Sequence, residues 1–258
     1  VVHHHGEDFN LATALRQTST GFLWKWIFYL PMFIIGVPAS VFVTVAGLNL
    51  IYQFWVHTEH IGKLGWFEKI FITPSNHRIH HARNPEYIDA NYGGVFILWD
   101  RMFGTYIEEK DDLKPIYGTA KPLNSWNPLW ANIEVFYSML KDSYHTKKPI
   151  DKLKVWFSKT NWRPEDVKRK FPNNAKLDNL YNPIASKKLK AFAFLQFIKL
   201  SPLSMSIYFT ITTQTFLATS LFGCFIFLSC LITSQALSNK DSALDWELFR
   251  SCLVLLVG

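Results

Sequence analysis

The sequence predicts an all-α, multi-pass integral membrane protein with a histidine metal site on its cytosolic face. Three observations predict it: long charge-free apolar runs, a basic excess confined to one segment, and histidines crowded near the start. Composition agrees. Of 258 residues, 49% are hydrophobic, 16% aromatic and only 18% charged, and the mean hydropathy is +0.05. Average soluble domains carry about 25% charged residues. A disordered chain would need low hydrophobicity. A disulfide scaffold would need more than Cys224, Cys230 and Cys252, which all lie in apolar runs. Both classes are excluded.

No Asp, Glu, Lys or Arg lies between Lys25 and Glu59, or between Lys199 and Lys240. A bilayer crossing needs about 20 mostly apolar residues. As one helix, residues 26–56 would run about 46 Å, past the roughly 30 Å hydrocarbon core. Pro31 and Pro38 interrupt the run. Two helices are therefore expected, 22–36 and 39–56, folded as a hairpin that spans the membrane or dips into it. The second run predicts helices at 203–219 and 221–237, the first weakened by Thr210, Thr212, Thr213, Gln214 and Thr215. A further apolar stretch begins at Cys252.

Net charge is +7, and its location matters more than its size. From Lys141 to Lys199, 15 Lys and Arg stand against 5 Asp and Glu. Basic residues near spans favour the cytosolic side, which places residues 57–200 there. Trp126, Trp130, Trp156, Trp162, Tyr137, Tyr144 and Tyr181 suit a segment lying against headgroups. No nucleic-acid module accompanies the basic excess, so no nucleic-acid partner is expected. The chain divides into 1–106, a basic cytosolic loop region at 107–200, and C-terminal transmembrane helices at 201–258. Asn- and Pro-rich stretches at 122–128 and 171–186 read as loops.

Eight of the nine histidines fall within residues 3–81. His3, His4 and His5 are consecutive, His57 and His60 flank Thr58-Glu59, and His77-x-x-His80-His81 follows. Positions i, i+3 and i+4 share a helix face, so His77, His80 and His81 can address one object. Crowded imidazoles repel when protonated and cost free energy when buried unpaired. A metal resolves both, because neutral imidazole is a ligand for Fe, Zn, Cu or Ni. A metal transporter would carry His or acidic groups on its spans, and 26–56 and 200–239 have none.

The chain resembles the fatty acid hydroxylase and sterol desaturase superfamily, whose mark is eight histidines in boxes H-x3-H, H-x2-H-H and H-x2-H-H. The third box stands at His77, His80 and His81, followed by Asn91-Tyr92-Gly93 and Trp99-Asp100-Arg101-Met102-Phe103-Gly104-Thr105. Glu7-Asp8-Phe9-Asn10-Leu11, Thr13-Ala14-Leu15-Arg16-Gln17, Tyr52-Gln53-Phe54-Trp55-Val56-His57-Thr58-Glu59 and Thr73-Pro74-Ser75 resemble its alkylglycerol monooxygenase branch. The likeness is dense over residues 3–106, the hydroxylase core, and thin beyond. It places the second box's pair on His3 and His4, or on His4 and His5 if the register moves by one. The first box and the start of the second are expected before Val1. At most six metal-binding histidines are then present, and the fragment alone is expected to be inactive.

The resemblance implies a non-haem iron monooxygenase with two iron ions, in the endoplasmic reticulum membrane. It would use O2 and tetrahydrobiopterin to hydroxylate the ether-bearing carbon of an O-alkylglycerol. The alternatives are a sterol or fatty-acyl hydroxylase or desaturase, or an inactive paralogue. Its implied metal ligands are His3, His4, His57, His77, His80 and His81. Glu7, Asp8 and Glu59 are candidates to orient them, or helix caps. His60 reads as a surface residue. Asp100 and Arg101 are expected to pair. Arg78 and Arg83 are expected at a phosphate or headgroup, or in solvent. Phe54, Trp55, Trp99 and Phe103 read as helix-packing residues or the wall of an alkyl-chain pocket.

Overall fold

The computed structural model describes residues 2–17, 21–159, 162–173, 180–240 and 242–257. Among them the regular elements are all helical, apart from two isolated antiparallel bridges, Phe71 with Phe96 and Ala82 with Tyr117. Residues 1–123 and 134–180 form one compact unit, and 124–133 with 181–258 form a second.

The first unit opens with a 3-10 turn, Val2–His5, and the short helix α1, Leu11–Leu15. Asn10 caps α1 by accepting from the Ala12 amide, with Thr13 closing a capping box. The first apolar run becomes α2, Gly21–Ile34, and α3, Ala39–Trp55. The chain reverses at Gly36, whose φ of +92° suits a residue without Cβ. Phe42 of α3 packs on Tyr29 and Phe33 of α2, with ring centroids 4.8 and 5.3 Å away. At about 1.5 Å per residue α2 is roughly 21 Å long, short of a full crossing. Its apolar side chains are largely exposed, and α3 buries none of its residues.

Beyond α3 lie a second 3-10 turn, Gly65–Lys69, then α4, Pro74–His81, and α5, Leu98–Phe103. Thr73 caps α4 in a second capping box with Asn76, and Pro74 occupies its first turn. Two small apolar clusters hold the region. Ile79, Ala82, Tyr87 and Ala90 form one; Val56, Ile72 and Ile97 form the other, with Tyr52, Trp55 and Tyr106 against them. Of the four aromatic residues read as packing groups, Trp55 packs here, whereas Phe54, Trp99 and Phe103 are exposed.

Asp100 does not pair with Arg101. Its buried carboxylate accepts from the Tyr92 and Gly93 amides at 2.6 and 2.8 Å and from the Thr105 hydroxyl at 2.7 Å. Arg101 instead lies over the Tyr106 ring, 3.9 Å from its centroid. A Cβ on Gly93 would stand 2.6 Å from the Phe96 carbonyl oxygen and 2.9 Å from Asp100, so no side chain fits.

The stretch 107–200 is not loop throughout. It contains α6, Pro128–His145; α7, Pro149–Phe157; α8, Glu165–Lys170; and the start of α9. Asp142 pairs with Arg163 at 2.6 Å and Glu134 with Lys121 at 2.6 Å. Within the loop read at 171–186, residues 174–179 lie outside the described residues.

In the second unit the helix expected at 203–219 is displaced. Helix α9 runs Lys187–Thr210 and α10 runs Phe216–Leu237, with the Thr- and Gln-containing segment as the turn between them. The polar run supplies that turn because Thr215 caps α10, accepting from the Ala218 amide. Ser186 caps α9 ahead of its exposed lysines. Both helices are long and apolar enough to cross a membrane. Helix α11, Ser242–Val257, brings charge to them: buried Arg250 bonds Glu247, Ser229 (2.6 Å) and Gln196 (3.3 Å).

Asp100→Ala would strand two amides and a hydroxyl around α5. It is expected to cost on the order of 3 kcal/mol, read as a lowered unfolding temperature, with Asp100→Asn less damaging.

Candidate metal centre

Three elements bring histidines together. The Val2–His5 turn supplies His3 and His4, the bend just past α3 supplies His57, and α4 supplies His77, His80 and His81. The ligand atoms gather in two groups, His3 with His57, His77 and His81, and His4 with His80 and His81, each within 4.8 Å. The helical spacing expected for 77, 80 and 81 therefore places them around two adjoining points, with His81 between.

In the first group the Nε2 atoms face one another. His57 Nε2 lies 2.8 Å from that of His3, 3.0 Å from that of His77 and 3.2 Å from that of His81. The His77–His81 separation is 3.2 Å. Two nitrogens about 2.1 Å from one ion, at right angles, are about 3.0 Å apart.

The other ring nitrogens decide the tautomers. His57 Nδ1 is 2.6 Å from the Gln53 carbonyl oxygen and His3 Nδ1 is 3.1 Å from that of Arg16. His80 Nδ1 is 3.3 Å from the Ala90 carbonyl oxygen. A carbonyl only accepts, so Nδ1 carries the proton and Nε2 keeps its lone pair. The lone pairs of His57 and His3 then face each other at 2.8 Å with no proton between them. A cation satisfies that arrangement, and a second imidazole does not. The donor set fits a metal ion.

Electrostatics keeps the rings neutral. Burial lowers the pKa of every histidine in both groups, to about 4 for His57 and about 2 for His4, and well below the usual value for His77 and His81. Mutual repulsion adds to burial for His4, His77 and His81. Neutral imidazole is the ligating form.

His5 is buried but belongs to neither group, and its Nδ1 has no hydrogen-bond partner. His60 is exposed. Glu7, Asp8 and Glu59 line a cleft of about 680 Å³ beside the histidines, and the imidazole Nδ1 partners above are all backbone carbonyls. Arg78 and Arg83 are buried, which corrects their placement at a headgroup or in solvent. Arg78 grips Glu109 at 2.8 and 2.6 Å and donates to the Thr58 and Ile61 carbonyls. The bidentate pair with Glu109 fixes the guanidinium, and its bonds to the two carbonyls pin the segment after His57.

Phe9 carries a role that the motif reading passed over. Its buried ring lies 5.4, 6.2 and 5.2 Å from those of His57, His77 and His81 and stacks on Tyr117 at 5.0 Å. Its neighbours on the other side are far away in sequence. Asn91 is similarly hidden: its amide bonds the Asn76 and Ile107 carbonyls and clamps α4 from outside.

His77→Ala or His80→Ala in the full-length protein is expected to lower bound metal, measured by elemental analysis. Full metal content in both variants would defeat the ligand assignment. The folded histidines titrate below the unfolded value, so the unfolded chain binds more protons. Their contribution to stability is complete above about pH 6.5 and is lost as pH falls toward about 4 and below. The metal-free protein is expected to lose unfolding temperature steeply across that window. A flat profile would contradict the burial of these rings.

Residues 1–105 match the family model for Fatty acid hydroxylase. The chain is 35% identical to an alkylglycerol monooxygenase of Danio rerio across 99% of its own length and 58% of that protein. It is 33% identical to the Homo sapiens protein of that name, over 99% of this chain and 57% of the relative. Against that of Xenopus tropicalis the identity is 39%, over 77% and 45%. The chain thus spans about half the length of these relatives. No solved structure matches it. Read with the histidine geometry, these likenesses identify residues 1–105 as a fatty acid hydroxylase domain, in a chain similar to alkylglycerol monooxygenases.

Proposed function

We propose that the full-length protein is a membrane-bound non-haem iron monooxygenase acting on O-alkylglycerols. The observation that carries the reading is the convergence of four Nε2 atoms, at 2.8–3.2 Å, in a chain similar to alkylglycerol monooxygenases. His3, His57, His77 and His81 would hold one iron, and His4 and His80 would contribute to a second. Iron bound by several histidines and keeping open positions supplies dioxygen activation.

The overall reaction balances with a two-electron reductant. O-alkylglycerol, O2 and tetrahydrobiopterin give the hydroxylated ether, water and dihydrobiopterin. Hydroxylation at the ether-bearing carbon makes a hemiacetal, which collapses to a fatty aldehyde and glycerol. This chain's residues supply the enclosure. Phe9 and the Val56–Ile72–Ile97 cluster exclude water beside the imidazoles, and the Gln53, Arg16 and Ala90 carbonyls hold three rings in the ligating tautomer.

Membrane residence suits the substrate, since each alkyl CH2 gains about 0.8 kcal/mol on leaving water. Helices α9 and α10 are long and apolar enough to cross the bilayer, and α2 and α3 are shorter apolar helices. The basic residues of 141–199 favour the cytosolic face for the intervening segment. The endoplasmic reticulum is the proposed compartment.

The test uses full-length protein in lipid with iron, tetrahydrobiopterin and an alkylglycerol. Fatty aldehyde is expected, dependent on the pterin, and reduced at least about 100-fold in His77→Ala, as for second-sphere losses or worse. Turnover of a sterol or acyl lipid, with no aldehyde from the ether, would transfer the chain to another activity of the superfamily.

A further inference from the structure

The cleft beside the histidines is lined by Glu7, Asp8, Phe9, Thr58, Glu59 and Tyr117, among others, and encloses about 680 Å³. The buried rings of Phe9 and Tyr117 are both part of its lining. Phe9 touches three imidazole rings on one side and stacks on Tyr117 at 5.0 Å and 20°. Burial and the neighbouring Glu59 carboxylate raise the pKa of the Tyr117 hydroxyl. Carboxylates at Asp8 and Glu59 offer acceptors only. An alkyl chain gains nothing from such acceptors. Thr58, Glu59 and His60 follow directly on α3, so the cleft is built where the apolar helix has ended.

We infer that this cleft seats the reductant, a reduced pterin, with Asp8 and Glu59 accepting from its amino-pyrimidinone edge and its ring against the Phe9–Tyr117 wall. The inference rests on the monooxygenase reading above. The chemistry matches on two counts. The pyrimidinone edge presents adjacent N–H donors, which carboxylates accept in charge-assisted bonds. A flat heterocycle gains by stacking on aromatic side chains. The placement also separates two reactants of opposite polarity. The polar reductant would arrive through the acidic cleft, and Phe9 would keep it one ring away from the imidazoles.

The experiment measures tetrahydrobiopterin binding to full-length, iron-loaded protein by anaerobic equilibrium dialysis. The variants are Asp8→Asn/Glu59→Gln, which removes the charges, and Ala12→Trp, which fills the cleft from its rim. Both are expected to keep their iron and to weaken pterin binding about 10-fold or more, the loss expected for hydrogen bonds to charged groups. The KM for pterin is expected to rise while that for alkylglycerol stays level. Wild-type binding with unchanged Kd in iron-replete variants would overturn the cleft assignment alone. A rise confined to the alkylglycerol KM would overturn it as well, assigning the cleft to the glycerol headgroup. No pterin binding by the wild type, with turnover supported by another reductant, would overturn the reductant reading and the cleft assignment together.

Discussion

The first unit is organised by a repulsion that has to be relieved. The Nε2 lone pairs of His57 and His3 face each other at 2.8 Å in a buried setting, with the Nε2 atoms of His77 and His81 at 3.0 and 3.2 Å from that of His57. Protonation would relieve the lone-pair contact, but burial makes the charged rings unfavourable. A cation resolves the conflict without adding charged imidazoles. Local features are then legible as devices that hold rings in a geometry they would not choose alone: the two capping boxes, the Arg78–Glu109 pair and the Asn91 clamp.

Backbone carbonyls do much of that holding. The Gln53 carbonyl sits four residues before His57, so the last turn of α3 both delivers the ring and sets its tautomer. Arg16 and Ala90 do the same for His3 and His80 from loops. A carbonyl is well suited to this task because it can only accept, leaving one protonation pattern. Acidic side chains are thereby released from orienting these rings. Asp8 and Glu59 face a cleft instead, where acceptors are available to a bound molecule.

Helix positions in the apolar runs were legible because hydropathy and proline act locally. Pro38 caps α3 at the break that the structure places at residues 35–38, whereas Pro31 is accommodated inside α2. The boundary of α9 was misjudged for a physical reason. The charge-free run begins after Lys199, yet α9 starts at Lys187, because exposed lysine is a good helix former. The polar Thr and Gln residues were placed inside a helix although their side chains favour turns and caps.

The sequence by itself determined that histidines crowd into three short segments next to apolar helices, because spacing and hydropathy are properties of the chain. It also determined that His77, His80 and His81 share one helix. Only the tertiary structure decided that His57 is the hub of the first group, 54 residues from His3 and 20 from His77. It alone decided that Phe9 seals the imidazoles from the cleft, and that Arg78 is buried against Glu109 rather than solvated. The reason is common to all three. Burial and lone-pair direction depend on what packs from distant parts of the chain, and no local pattern encodes which partner arrives.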